Sequence, residues 1–207
     1  MKRTTRPPQT VIFDFGNVIA RIDNAYFLSL LTGWPKEACT GKVQEIFCGT
    51  SLSRDFETGV SGLEEFQRGV EKILGVSHTS AAFGEAYCAM FQPIPETLDL
   101  IRRLKTDGVC RLGLLSNTNP LHFDQVFQKL PIAGCFDQLT VSYQVGAMKP
   151  DPRIFKDAAG KAGCDPHDIL FLDDLPPFVA AAHACGWQAW LYDDPPVIAS
   201  KVYSLFV

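Results

Sequence analysis

The sequence predicts an α/β fold, a Rossmann-like parallel sheet with a small helical cap inserted after the first strand. From about Pro93 onward, apolar runs alternate with helical patterns, the signature of parallel strands covered by helices. The stretch between the first apolar run and Pro93 reads, in contrast, as helices only. Four segments then set polar or charged groups directly after an apolar run or at a strand-like boundary: Asp14, Ser116-Asn117, Lys149 and Asp173-Asp174. An open α/β sheet gathers its ligands at the carboxyl ends of its strands, so groups left there are placed for chemistry rather than packing.

Taken in order, Thr10-Val-Ile-Phe reads as a buried strand running into a glycine turn at Gly16. Within the helical stretch, Ser61-Gly-Leu-Glu64 has the form of a capping box, and Leu63, Phe66, Val70, Ile73 and Leu74 follow at helical spacing. Thr79 to Phe91 suits another helix. Pro95 and Glu96 open a helix with Leu98, Ile101 and Leu104 on one face and Gly108 as its stop. Cys110 to Ser116 reads as a strand, and Pro120 to Leu130 as a helix with Phe123, Val126 and Phe127 inward. A further strand is expected between Leu139 and Val145. Asp151-Pro152 is a cap followed by a first-turn proline; Ile154, Phe155, Ala158 and Ala162 keep the helical period until Gly163. Ile169 to Asp173 is a continuous apolar strand, as befits one buried on both faces. Pro177 to Ala184 is an alanine-rich helix closed by Gly186, and Trp187 to Tyr192 makes the last strand. The chain thus divides into a core, 1–22 and 93–207, and a cap, 23–92.

A length of 207 residues accommodates one domain with a sizeable insertion, and 46% hydrophobic against 20% charged residues is the balance of a soluble globular protein. The net charge of -4 argues against nucleic acid or an anionic membrane as partner. Lys2, Arg3 and Arg6 give a basic start. Pro7-Pro8 follow where the apolar segment of a signal peptide would begin, and Asp14 interrupts the next apolar stretch. No apolar run is long enough to span a bilayer, so a cytoplasmic location is expected. Seven cysteines without any CxxC pairing read as small buried hydrophobes in a reducing compartment rather than a zinc or disulfide framework. The oligomeric state is left open.

The segments "DFGNV", "LLSNTN", "AMKPDPRIF" and "FLDD" resemble, in order, the four motifs of the haloacid dehalogenase superfamily, most of whose members are phosphatases. The resemblance runs from about Val11 to Leu191, with the helical insertion in the place of the family's cap. "DFGN" with the later "SNTNPLH" is most similar to the branch holding α-D-glucose-1-phosphate phosphatases. It implies a magnesium-dependent phosphatase that hydrolyses a small phosphorylated metabolite, a sugar phosphate such as a sugar 1-phosphate, through an aspartyl-phosphate intermediate. Asp14 would be the nucleophile. The resemblance assigns Mg2+ to Asp14, Asp174 and the backbone carbonyl of Gly16, with Asp173 either in the layer behind the metal or capping the next helix. Electrostatics point the same way, since two bare carboxylates about 4 Å apart repel by about 4 kcal/mol at an effective dielectric near 20. Magnesium takes one or two carboxylates and shares its other positions with water and phosphate. Lys149 would balance charge at the phosphoryl group, and Ser116, helped by the Asn117 amide, would hold a phosphate oxygen.

Two positions depart from the pattern. Most phosphatases of the superfamily carry a second aspartate two residues after the nucleophile as general acid and base, and here that position is Gly16. Losing a positioned acid costs roughly two to four orders of magnitude in rate unless the leaving group needs little help. A bias toward sugar 1-phosphates, aryl or acyl phosphates is therefore expected, with His122 as a substitute proton source. Phe178 stands where related sequences place Asn or Asp, and reads either as helix packing or as a cause of weaker metal binding. Asp23 and His78 read as solvated polar residues, with substrate contact as the alternative. Two other functions compete with the phosphatase. A 2-haloacid dehalogenase would use the same aspartate without metal, but Gly16 is not the aromatic residue usual there, and Asp173-Asp174 favour a cation. A catalytically weakened binding relative would explain Gly16 and Phe178, but not an intact nucleophile, serine and lysine.

Overall fold

The computed structural model describes residues 6–207; Lys2 and Arg3 of the basic start lie outside them. The centre of the molecule is β1 (Thr10–Phe13), every residue of which is buried. It pairs in parallel with β4 (Arg111–Ser116) on one side and β6 (Ile169–Asp173) on the other. Beyond them lie β5 (Gln138–Val141) and β7 (Gln188–Leu191), giving the parallel order β5-β4-β1-β6-β7. Strand order reverses beside β1, so a crevice opens above its carboxyl end, where Asp14 stands.

Alternation along the strands sorts the core into two layers. Val11, Phe13, Leu112, Leu114, Leu170 and Leu172 face one side, beneath α6 (Pro95–Asp107) and α11 (Pro195–Tyr203). Ile12, Leu115, Ile169 and Phe171 face the other, against α9 (Pro152–Ala162) and α10 (Pro176–Ala184). Helices on both faces explain why Val11–Phe13 of β1 and Ile169–Leu172 of β6 are uninterrupted apolar runs, each followed by an aspartate.

Between β2 (Ala20–Ile22) and β3 (Phe91–Pro93) the chain builds α1 (Asn24–Thr32), α2 (Lys36–Phe47), α3 (Ser51–Glu57), α4 (Leu63–Leu74) and α5 (Ser80–Cys88). These helices close on an apolar cluster of their own, in which Phe27, Phe56, Phe66, Phe83 and Tyr87 are buried. The ring centroids of Phe56 and Phe66 stack 4.7 Å apart, and those of Phe27 and Tyr87 lie 4.8 Å apart. The chain leaves and re-enters the sheet domain through the antiparallel pair β2–β3, with Asp23 N–H donating to Met90 O and Ile94 N–H to Ile19 O. No helix among the described residues is long and apolar enough to cross a membrane. None of the seven cysteines is in a disulfide.

Several expectations change in detail. The strand expected to reach Val145 ends at Val141, and Ser142–Val145 turns into a short helix, α8. The helix expected through Leu130 stops at Gln125 (α7, Pro120–Gln125), and a 3-10 turn over Phe127–Lys129 carries the chain on. Thr79 caps α5, but that helix ends at Cys88 because Phe91–Pro93 is drawn into the ribbon with β2. Strands of three residues leave too little alternation to be seen in sequence. The capping box at Ser61 does not form: Gly62 is the cap of α4, no side chain caps it, and Ser61 Oγ is buried without a partner.

A second junction joins cap and sheet domain beside α8. Ser142 Oγ donates to Glu57 O at 2.5 Å and accepts from Thr118 N–H at 2.9 Å. Gly59, in a left-handed conformation (φ 74°), brings its Cα so near Tyr143 that a Cβ would lie 2.7 Å from the Tyr143 carbonyl oxygen. Gly33 has a similar φ of 71° but open space around it. A left-handed residue other than glycine costs about 1–2 kcal/mol in either place. Gly59→Ala should therefore destabilise the protein by about 1–3 kcal/mol more than Gly33→Ala, measured by denaturant unfolding, and should raise amide exchange in α3. Equal costs for the two variants would show that the cap is not held at this junction.

Candidate active site

The crevice above β1 is roofed by the cap to give a cavity of about 370 Å³. Asp14, Gly16, Asn117, Lys149 and Asp174 line it from the sheet domain. Thr50, Arg54, Glu57, Tyr87 and Met90 line it from the cap.

Asp14, Asp173 and Asp174 offer carboxylate oxygens that all lie within 4.8 Å of one another. Parallel register explains the convergence: Phe13 sits opposite Leu172, so the residues following them emerge side by side. Lys149 reaches into this group with its ammonium only 1% exposed, 2.8 Å from Asp14 Oδ1 and 2.6 Å from Asp173 Oδ2. Its charge also faces the rings of Phe178 and Phe171, 5.0 and 5.4 Å from their centroids. Burial alone would lower the Lys149 pKa, but the charges of Asp14 and Asp173 outweigh it and raise it, so the ammonium stays protonated.

One lysine against three carboxylates leaves an excess of negative charge in a partly buried site. Burial accordingly pushes the Asp14 carboxyl up to about 7 against the pull of Lys149, with Asp173 adding to the rise. Burial also raises Asp174, opposed by a 3.0 Å hydrogen bond from Asn17 Nδ2. A hard divalent cation is the group such a carboxylate set fits, and Asp14, Gly16 and Asp174 are the residues of the predicted metal set that line the cavity.

Asp173 is fully buried and does not line the cavity. One of its oxygens receives Lys149 and the other accepts Leu175 N–H at 2.8 Å, so it orients the lysine and shapes the turn into α10 at once. Ser116 lies at the end of β4, 1% exposed, with its hydroxyl 3.3 Å from Asn117 O, just beneath the cavity wall rather than on it. The Asn117 carboxamide is committed to the backbone of Lys149, donating to its carbonyl at 3.1 Å and accepting its N–H at 2.7 Å. That ring locks the two loops together, so any contact of Asn117 with a ligand comes through its backbone.

His122 is not a proton source. It is buried, its Nδ1 lies 3.1 Å from Asn119 Nδ2 and its Nε2 lies 3.2 Å from Tyr87 O. Desolvation lowers its pKa to about 3, leaving the ring neutral. Asp23 caps α1 and pairs with Lys36 at 2.7 Å, and His78 Nε2 lies 2.9 Å from Leu31 O, so both serve the cap's own structure.

Sequence reasoning missed three groups. Asn17 has φ 54°, a conformation asparagine tolerates, and it bridges Asp174 to Ile22 N–H. The Gly16-Asn17 pair was the available signal. Thr118 and Glu57 also line the cavity; Glu57 sits on a cap helix whose sequence carries no motif. Ile22 packs over Gly16: a Cβ at position 16 would lie 2.5 Å from Ile22 Cδ1, so a side chain there would have to displace the tip of Ile22.

A model of haloacid dehalogenase-like hydrolases matches residues 8–186. The chain is 26% identical over 173 residues to D-ribitol-5-phosphate phosphatase of Bacteroides thetaiotaomicron, covering 80% of this chain and 82% of that protein. It is 33% identical over 122 residues to an (S)-2-haloacid dehalogenase of Pseudomonas putida, covering 57% of this chain and 53% of that protein. Among solved structures, a predicted HAD-like hydrolase from Porphyromonas gingivalis superposes with a TM-score of 0.77 at 26% identity, covering 95% of this chain and 98% of that one. A HAD family enzyme from Bacteroides thetaiotaomicron, solved with magnesium and inorganic phosphate, gives 0.74 at 23%, covering 89% and 93%, a likeness of fold.

The neutral His122 ring has a consequence for acid stability. Its pKa falls from 6.5 in the free side chain to about 3 in the fold, so its contribution is complete above pH 6.5 and is lost as pH drops toward 3. Between about pH 6 and 4, unfolding free energy should decline less steeply in His122→Gln than in the parent, by about 1.4 kcal/mol per pH unit. Identical slopes in denaturant unfolding across that range would show the ring to be charged in the folded protein.

Proposed function

Because the chain belongs to the haloacid dehalogenase-like hydrolases, we propose that it is a magnesium-dependent phosphatase of small phosphorylated metabolites, acting through an aspartyl phosphate. One observation carries this reading: three carboxylates converge beside a cavity of metabolite size, and a single buried lysine pairs with two of them. The relative named as a D-ribitol-5-phosphate phosphatase and the fold neighbour solved with magnesium and phosphate support it. The domain division at residues 22–23 and 92–93 belongs to the same proposal, with the β2–β3 ribbon as the joint.

The magnesium ion, held by Asp14, Asp174 and the Gly16 carbonyl, would supply positive charge to the phosphate oxygens and to the crowded carboxylates. Asp14 attacks phosphorus in line, and the bond to the ester oxygen breaks on the opposite side. Lys149 fixes the rotation of the Asp14 carboxylate through Oδ1 and lends its charge to the transferring group. Ser116 and the Asn117 backbone, at the end of β4, are the proposed phosphate contacts. Water then cleaves the aspartyl phosphate and releases phosphate. The roof of cap side chains excludes bulk water and sets the size of the leaving group. A sugar phosphate, such as a sugar 1-phosphate, suits a space of that size.

Dehalogenation uses an aspartate without a cation, and an excess of negative charge is poorly suited to it. Phosphate release from a panel of sugar phosphates and p-nitrophenyl phosphate should require magnesium and stop on chelation. Asp14→Asn should lower it by roughly four orders of magnitude or more. Halide release from a 2-haloacid in the presence of a chelator, without phosphatase activity, would overturn this reading, as would binding without turnover of any ester.

A further inference from the structure

We infer that Glu57, on the cap, is the proton donor and acceptor of this reaction, taking the place of the carboxylate that Gly16 lacks. The inference rests on the phosphatase reading and adds the residue that completes it.

Asp14 forms the floor of the cavity and Glu57 belongs to its roof. Attack from Asp14 expels the leaving oxygen away from the floor, so a donor is needed on the cap side. Glu57 is held there rather than left on a loose lid, since its carbonyl receives the Ser142 hydroxyl at 2.5 Å and Gly59 abuts Tyr143 two residues later. The other titratable groups around the cavity are Asp14, Asp174, Lys149, Tyr87, His122 and Arg54. Asp14 is the nucleophile and Asp174 a metal ligand. Lys149 is bound between two carboxylates. Burial raises Tyr87 well above the ordinary phenol range, so it cannot serve as a base. His122 has both ring nitrogens engaged, and Arg54 is paired with Asp55 at 3.2 Å. Glu57 alone can both give and take a proton near neutrality. Although it keeps some accessible surface, desolvation pushes its carboxyl up to about 7, with Lys149 pulling the other way. Gly16 has no side chain to share the role, and one introduced there would have to displace the tip of Ile22.

In the first step Asp14 forms a bond to phosphorus, the bond from phosphorus to the ester oxygen breaks, and Glu57 gives its proton to that oxygen. The alcohol leaves. In the second step the Glu57 carboxylate takes a proton from water as the water oxygen attacks phosphorus. The bond to Asp14 breaks, free phosphate departs, and both carboxyl groups regain their starting states.

A positioned acid matters most when the leaving group is poor, so Glu57→Gln is compared with the parent on a sugar phosphate and on p-nitrophenyl phosphate at saturating magnesium. We expect kcat/KM for the sugar phosphate to fall by roughly 10²–10³-fold, and that for p-nitrophenyl phosphate, whose phenolate departs unaided, by less than about tenfold. Retained turnover of the aryl ester also reports an intact fold. The parent should lose sugar-phosphate turnover as pH rises above about 7, and Glu57→Gln should lack that alkaline limb. Adding Gly16→Asp with Ile22→Ala, which clears the space for it, should restore turnover of the sugar ester. Equal losses on both esters, or none on either, would overturn the role of Glu57 while leaving the phosphatase reading intact. A parent enzyme inactive on every ester would overturn both.

Discussion

Lys149 carries its ammonium into a place where only its partners make a charge tolerable, bonded to Asp14 and Asp173 and flanked by two aromatic rings. A buried ion pair of this kind adds little net stability, because desolvation consumes most of the attraction, but removing one member strands the others. The arrangement is therefore a positional constraint more than a source of stability. It requires the ends of β1 and β6 and the loop before α9 to meet at one point, and the rest of the sheet domain is disposed to make them do so. The reciprocal Asn117–Lys149 hydrogen bonds fix the lysine backbone. Asp173 fixes its side chain while steering the chain into α10.

The same site shows how a departure from a family pattern is accommodated locally. Gly16 is not a simple deletion of a carboxylate; Ile22 from the ribbon occupies the vacated volume, and Asn17 adopts a left-handed conformation to brace Asp174. Phe178, at a position where a polar group is usual, lies over Lys149 and closes that side of the cavity with apolar surface. Polarity removed near the floor is matched by a carboxyl group on the roof.

Much of the sheet domain was legible in the sequence because its strands are buried on both faces and its helices carry strong caps. The helix over Pro152–Ala162 is bounded by Asp151 and Gly163, as its proline and glycine signals require. Strands β4 and β6 fall within a residue of their expected limits. Legibility failed where tertiary contacts decide the local structure. Nothing in three residues such as Ala20–Ile22 signals a ribbon, and Val141 ends its strand because Ser142 is needed as a joint between Thr118 and Glu57. For the site, motif residues could be named in advance, but their duties depend on depth. Ser116 and Asp173 lie beneath the surface, and His122 is a neutral strut. Glu57 was invisible because a lone glutamate on a cap helix has no pattern of its own.

The aromatic cluster inside the cap has a wider implication. Phe27, Phe56, Phe66, Phe83 and Tyr87 give the five helices a hydrophobic centre separate from both layers of the sheet. Cavity-lining side chains outside that cluster, such as Thr50 and Arg54, can then be exchanged without disturbing it, whereas Tyr87 belongs to both. Most cap side chains that meet a substrate can thereby drift while the sheet domain keeps its carboxylates and lysine, so long as Glu57 and the narrow crossing at Ala20–Ile22 and Phe91–Pro93 persist.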